Sequence, residues 1–303
     1  MDHIKWGVDL GGTKIEAAVY ECRGTDITVR CRKRLPTESS KGYDHICRQI
    51  ISLIQQVKDE TQLLPSQIGF STPGTVEPST GLMKNCNTTC MNGQSMKTDL
   101  EKGLGVPITI TNDANCFALA EARLGSVAEL APDAEVVFGV IMGSGCGGGV
   151  VIGGRCITGL HGIGGEWGHN FLDDSGEHCY CGSHGCNETI ISGPALQRYY
   201  QLLSGEKKTM QEITALYQSG KDPHATATLH RLFSMFGKAI SVIINVLDPD
   251  AIVLGGGLAN IDELYTLGVE EVKKHIFNKR IVKTPFLKPK LGDSAGVFGA
   301  GLA

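Results

Sequence analysis

The chain has 303 residues, 41% hydrophobic and 20% charged, with a formal net charge of −4. That length buries a large core and predicts two lobes, while the excess of acid excludes the broad basic surface that nucleic acid requires. No apolar run has the length of a bilayer span, so neither nucleic acid nor membrane is an expected partner.

The N-terminus, Met1-Asp2-His3-Ile4-Lys5-Trp6, enters a strand pattern at once, unlike a signal peptide. A strand is predicted over 5–10, and Gly11-Gly12-Thr13 turns it into a second strand over 15–20. A third strand covers 27–35. Ile46, Ile50, Ile51, Ile54 and Val57 recur at helical spacing, which predicts a helix over 43–58. A strand over 67–71 stops at Thr72-Pro73-Gly74. A short helix spans 97–103, and a strand over 107–111 ends at Asn112-Asp113, where a helix over 114–124 begins. The second half opens in the same style, with a strand over 135–142, a glycine loop over 143–149 and a strand over 150–152. A long helix over 229–247 follows and stops before Asp248-Pro249-Asp250. A buried strand over 251–254 feeds Gly255-Gly256-Gly257, and a small-residue helix over 295–303 closes the chain; 204–208 and 220–223 are surface turns. Strand–glycine–strand thus occurs twice, which predicts two related α/β lobes with a cleft between them. The 40 glycines gather at these turns, as expected where backbone approaches a ligand closely.

Asp9-Leu10-Gly11-Gly12-Thr13-Lys14 sets a carboxylate at a strand end, then two glycines, a hydroxyl and a cation. Successive exposed amides in such a turn surround phosphate oxygens. Thr13 and Lys14 add donors, and Asp9 can orient a hydrated magnesium ion. A plain Gly-Gly hairpin has the same residues. The second turn, Gly143-Ser144-Gly145-Cys146-Gly147-Gly148-Gly149, shifts the reading toward a nucleotide phosphate chain held from both lobes. Neither turn matches GxxxxGK[ST] or opens a helix, so a dinucleotide fingerprint is a poor match.

Asp113 lies where a strand gives way to a helix. A carboxylate there can accept a hydroxyl proton, and Asn112 can hydrogen-bond a neighbouring hydroxyl; a helix N-cap explains the same pair. Between Gly165 and Glu188, three histidines and three cysteines lie close in sequence, and one histidine with the three cysteines can close a tetrahedral site. His169, Cys179, Cys181 and Cys186 form a Cys3His set suited to zinc, with His178 and His184 near enough to replace His169. Four protein ligands leave no open position, so the site is structural and a zinc hydrolase is excluded. Glu166 and Glu188 bracket the ligands and are left to hold something polar. The other eight cysteines, Cys22, Cys31, Cys47, Cys86, Cys90, Cys116, Cys146 and Cys156, are scattered. With an odd total of eleven they read as reduced thiols packed as small apolar groups in a reducing cytoplasm.

Taken together these motifs resemble the ROK family (repressors, open reading frames and kinases) of the actin-like sugar-kinase ATPase superfamily, over the chain from residue 5 to the C-terminus. The resemblance implies an α/β, two-lobed actin-like ATPase (ribonuclease H-like) fold with an inserted structural zinc site. The lobes are expected over 1–113 plus 289–303 and over 114–288, with the zinc segment at 166–188. It implies ATP-dependent phosphorylation of a hexose C6 hydroxyl by in-line transfer, with Asp113 as base. Asn112, Glu166, His169 and Glu188 match residues that bind sugar hydroxyls, and Asn87 is a further pocket candidate. His169 also matches a zinc ligand, beside Cys179, Cys181 and Cys186. Asp9, Gly11, Gly12, Thr13 and Lys14 match the first phosphate turn with its magnesium. Gly143, Ser144, Gly145, Cys146 and Gly147 match the second, and Gly255, Gly256 and Gly257 the segment beside adenosine. ATP, Mg2+ and Zn2+ are the implied cofactors, and a homodimer the implied assembly. The 84–93 loop looks like the bacterial manno(fructo)kinase branch, although Cys90 stands where that branch more usually has an aromatic residue. Fructose is therefore the expected acceptor, with mannose or glucose secondary and N-acetylglucosamine kinase or glucokinase as the alternative. Sugar-responsive repressors of this family carry a helix-turn-helix ahead of the kinase-like body. This sequence opens at the first strand, so a regulator without a DNA-binding domain is the alternative from another class.

Overall fold

The computed structural model describes residues 4–303; Met1-Asp2-His3, the first residues of the predicted strand pattern, lie outside them. β-Branched and apolar residues carry β1 (Ile4–Leu10), β2 (Lys14–Arg23) and β3 (Asp26–Pro36) through an antiparallel meander. α1 (Tyr43–Thr61) buries Ile46, Ile50, Ile54 and Val57 of the predicted stripe, adds Leu53, leaves Ile51 half-buried, and ends on Gln62 in the left-handed conformation. β4 (Ile68–Thr72) is wholly buried and runs parallel to β1, as strands covered on both faces do. The small hairpin β5 (Thr75–Val76) and β6 (Met83–Lys84) follows, then α2 (Met96–Leu104) and β7 (Ile108–Asn112), parallel to β4. α3 (Asp113–Arg123) and α4 (Ser126–Leu130) lead to β8 (Val136–Met142), β9 (Cys146–Ile152) and β10 (Arg155–Cys156). After an irregular stretch come α5 (Asn187–Ile191), α6 (Gly193–Ser204), α7 (Met210–Ser219) and α8 (Pro223–Leu247). β11 (Ala251–Gly255), α9 (Leu267–Lys273), β12 (Phe286–Leu287) and α10 (Ala295–Leu302) complete the chain. The sheets have the strand orders β3-β2-β1-β4-β7 and β10-β9-β8-β11-β12. Both begin with a strand, a glycine turn and a hairpin partner, so the predicted duplication of the opening motif is matched by a duplicated strand order.

Two predicted bounds shift most. The glycine loop over 143–149 is only a three-residue turn, because Cys146 already starts β9. The long helix starts at Pro223 rather than 229: Asp222 accepts from the amides of His224 and Ala225, and proline suits the first helical position. By length and composition that helix could cross a membrane, against the expectation that no run could. Its apolar positions Leu229, Leu232, Phe236 and Ile240 are instead fully buried, which makes it a core helix.

The chain divides into two compact units, Met1–Ala134 with Gly149–Gly165 and Pro289–Ala303, and Glu135–Gly148 with Glu166–Lys288. These bounds differ from the expected cut at 113/114, which placed α3 and 149–165 in the second lobe. α3 lies against α10, where a Cβ on Gly299 would stand 1.9 Å from the Cys116 carbonyl oxygen. Glu121, buried in α3, accepts from the amides of Ser126, Lys290 and Leu291. Cys156 and Gly164 bond to Asn115, which ties the β9–β10 hairpin to the same helix.

Some glycines serve packing rather than ligand. A Cβ on Gly7 of β1 would stand 1.9 Å from the Val297 carbonyl oxygen, and one on Gly69 of β4 1.7 Å from that of Ala300. α10 therefore rests directly on the strand backbones, and Tyr20 Oη donates to Phe298 O at 2.5 Å across the same contact.

Candidate active site

In the first unit, β1 delivers Asp9 to the start of the Gly11–Thr13 turn. Gly11 N donates to Lys14 O at 2.9 Å, closing the turn. Thr37, buried just past the end of β3, holds it from the side: Thr37 N donates to Thr13 O at 3.0 Å and Thr37 Oγ1 to Gly11 O at 2.7 Å. Gly12 and Thr13 are exposed, and a Cβ on Gly12 would meet nothing. Asp9 accepts from Ser71 Oγ at 2.6 Å. Burial pushes its carboxyl above the usual range, with Glu16 adding to the rise, while Ser71 and Lys14 oppose it; a group in that condition gains from a nearby cation. Glu16, only 1% exposed, takes ion pairs from Arg32 and from Arg34 (2.5 Å), with Lys14 Nζ at 3.9 Å. Cross-strand register brings Arg34 opposite Glu16, and that register was not legible in sequence.

Asp113 is the first residue of α3 and is exposed. Its Oδ1 accepts from Ala114 N at 2.7 Å, and Asn112 Oδ1 accepts from the same amide at 2.9 Å. Both carboxamide and carboxylate thus cap the helix. Asn87 is exposed on a loop that Asn92 pins, through Cys86 N to Asn92 Oδ1 at 2.8 Å.

In the second unit, Gly143 N donates to Gly145 O at 2.9 Å and Gly193 N, at the start of α6, donates to Gly143 O at 2.8 Å. The Cys146 amide is taken by Glu188 Oε2 at 2.9 Å, and burial, then Glu188, pushes the Cys146 thiol well up. The thiol is a core group, as expected of the scattered cysteines. A cavity of about 730 Å³ opens beside this turn and the Gly257 segment, a size suited to a nucleoside. Gln197, Gln211, Thr214, Gln218 and Asn260 give it polar lining, and Met210, Leu258 and Ile261 apolar lining. The sequence pattern marks only the glycines there. The glutamines come from α6 and α7, whose facing sides depend on packing.

Glu166, His169 and Glu188 also lie in this unit. Glu166 Oε2 is 4.0 Å from His169 Nε2. Burial raises the Glu166 carboxyl, His169 opposes this and Glu188 adds to it, so the two carboxylates sense each other. The ligand atoms of His169, Cys179, Cys181 and Cys186 all lie within 4.8 Å of one another. A tetrahedral zinc with bonds of about 2.3 Å to sulfur and 2.0–2.1 Å to nitrogen has edges of about 3.8 Å (S···S) and 3.6 Å (S···N). Cys181 Sγ–Cys186 Sγ is 3.7 Å and Cys179 Sγ–His169 Nδ1 is 3.5 Å, so the residues fit the ion. At Cys181, burial is outweighed by hydrogen bonds from Ser183, Cys179 and Cys186, and the thiol falls to about 6, ready as a thiolate. His178 and His184 form a β-bridge with each other and stand outside the four-residue cluster. His169 Nε2 instead meets Tyr180 Oη at 3.1 Å, a partner absent from the predicted set.

Two α/β sheets of matching strand order, each opening on a glycine turn, define the class: the fold is that of the actin-like ATPase superfamily. A profile of the ROK family matches residues 5–302, and the chain belongs to that family. N-acetyl-D-glucosamine kinase of Pectobacterium atrosepticum is 33% identical over 313 residues, 98% of this chain and 97% of its own. The Histophilus somni protein of the same name is 34% identical over 307 residues, 97% of each. The crystal structure of a ROK hexokinase from Thermus thermophilus superposes with a TM-score of 0.87 at 30% identity, covering 99% of this chain and 97% of that one.

Proposed function

We infer that this protein is an ATP-dependent sugar kinase that phosphorylates the C6 hydroxyl of a hexose, and that N-acetyl-D-glucosamine is its preferred acceptor. The observation that carries the choice of sugar is the end-to-end similarity to two N-acetyl-D-glucosamine kinases. Fructose, expected from the 84–93 loop, has no such support and gives way to what was the alternative.

In this reading Glu166, His169 and Glu188 hold the sugar hydroxyls. Asn112 joins them through its Nδ2 group, since Oδ1 caps α3, and Asn87 edges the pocket. The C6 hydroxyl gives its proton to Asp113 as its oxygen attacks the γ-phosphorus, and ADP leaves carrying the bridging oxygen. Phosphoryl transfer needs mainly alignment and charge stabilisation, which the amides of Gly12 and Thr13 in the turn that Gly11 N closes, the Lys14 ammonium and the Gly143–Gly145 turn supply. Magnesium, beside Asp9, would neutralise phosphate charge when bound. Zinc on His169, Cys179, Cys181 and Cys186 would fix Glu166 and Glu188 in place, since residues behind and beside metal ligands set their geometry.

ATP consumption measured across N-acetylglucosamine, N-acetylmannosamine, glucose, mannose and fructose tests both parts. The expected result is kcat/KM at least about tenfold higher for N-acetylglucosamine than for fructose, a gap of about 1.4 kcal/mol in transition-state binding. A lead for fructose removes the substrate assignment, and no turnover with any sugar removes the kinase.

A further inference from the structure

The cysteine-rich segment does more than flank a sugar site. Cys146 N donates to Glu188 Oε2 at 2.9 Å, and Glu188 stands two residues after Cys186, in the first turn of α5. The contact is built to be close, because a Cβ on Gly145 would lie 2.5 Å from the same carboxylate oxygen. The return arm of the turn is held from its other side too. Trp167 Nε1 donates to Gly147 O at 2.6 Å, and a Cβ on Gly168 would lie 1.9 Å from Cys146 O. Asn187 Nδ2 closes the ring by donating to Trp167 O at 2.6 Å.

We propose that Glu188 is a positioning residue for the Gly143–Gly145 phosphate turn, so that one carboxylate serves both substrates: Oε2 fixes the nucleotide turn and Oε1 takes a hexose hydroxyl. The proposal rests on the kinase reading above and deepens it. A backbone amide bonded to a carboxylate is a charge-assisted contact, stronger than a neutral one. Here it sets the direction of the strand on which the turn closes. Removal of the carboxylate leaves that amide without its acceptor and the turn without its stop. Conversely, a side chain pushed into the Gly145 position displaces the carboxylate that faces the sugar.

Binding of a non-hydrolysable ATP analogue, titrated calorimetrically with no sugar present, separates this from a role in hexose binding alone. Glu188→Ala should weaken the analogue about tenfold. Glu188→Gln, whose amide oxygen still accepts from Cys146 N, should stay within about threefold of the parent protein. The reciprocal variant Gly145→Ala should weaken N-acetylglucosamine binding about tenfold with no nucleotide present, an effect that a turn serving phosphate alone would not produce. Unchanged analogue affinity in Glu188→Ala overturns the inference while leaving the kinase intact. If that variant does not fold, an unchanged sugar affinity in Gly145→Ala overturns it instead. Failure of the parent protein to bind the analogue is a different result and removes the kinase reading itself.

Discussion

The two glycine turns occupy matching points in their sheets but are held by different chemistry. The first is fixed by the strand ladder. Register between β2 and β3 pairs Lys14 with Pro36, which puts Thr37 next to the turn for two short neutral hydrogen bonds. The second is fixed by groups from outside the ladder: the Glu188 side chain on the Cys146 amide, the Trp167 side chain on Gly147, and the backbone amide of Gly193, at the start of α6, on Gly143. Those groups flank the irregular stretch that carries the Cys3His cluster. A turn held by the ladder should therefore survive changes at that cluster that loosen a turn held by the groups beside it. Asp113 belongs with the first kind, standing on the regular junction of β7 and α3.

The largest effect expected is at that junction. Asp113→Asn keeps a helix-capping side chain and removes only the proton acceptor, so kcat should fall by about 10²–10⁴, with the thermal midpoint unchanged and hexose affinity within a few-fold. Steady-state kinetics with calorimetry check this, and undiminished turnover would show that Asp113 is not the base. Next comes the metal. Purified protein should carry about one zinc per chain, and its removal by a chelator, or Cys186→Ser, should weaken hexose binding about 10–100-fold. The chain's two tryptophans, Trp6 and Trp167, fall one in each unit. In a Trp6→Phe background, emission should shift to the red on chelation as buried Trp167 is uncovered. Active protein without zinc would end the contrast between the turns. Smaller still is Thr37→Val, which deletes the bond to Gly11 O: KM for ATP should rise about three- to tenfold. Hexose binding without nucleotide should not change, the reverse of the pattern expected on metal removal.

The contrast also explains what could be read in advance. Helix α1, the strands of the first sheet and both glycine turns show as local patterns, because an apolar stripe or a Gly-Gly pair is visible within a few residues. Cys179, Cys181 and Cys186 show for the same reason, whereas the fit of His169 rather than His178 follows only once its ligand atom is seen within 4.8 Å of the three sulfurs. What local pattern does not carry is register and facing. The pairing of Glu16 with Arg32 and Arg34 needs the β2–β3 alignment. The glutamines of the nucleoside-sized cavity need the packing of α6 on α7. The glycines under α10 look like ligand glycines until the helix is seen lying on β1 and β4. The 84–93 loop pointed to a sugar that the relatives of 33–34% identity do not support, and residues chosen from a single loop carry little constraint from the fold.

The smallest effect expected separates the two supports of the irregular stretch. Asp173 lies in it, four residues after His169, and bonds to residues outside the Cys3His cluster. Its carboxylate accepts from Ser175 Oγ at 2.6 Å and Ser175 N at 3.0 Å, with Lys238 Nζ at 3.3 Å. The Ser175 bonds, with Lys238 assisting against burial, hold its carboxyl down to about 2. A folded value below the unfolded one, about 3.9, means that the unfolded chain binds the proton more readily. The contribution is therefore complete at neutral pH, begins to fade as pH falls through about 4, and is gone once it passes below about 2. Partial exposure of both Asp173 and Lys238 screens it to on the order of 1 kcal/mol. Urea unfolding of the parent and of Asp173→Asn should thus differ by about that amount at pH 7 and converge on acidification. Loss of zinc in acid is common to both proteins and cancels in the difference. A gap that stays constant between neutral pH and pH 2 would mean that Asp173 acts by packing rather than charge, and that the segment has no electrostatic support beside its thiolates.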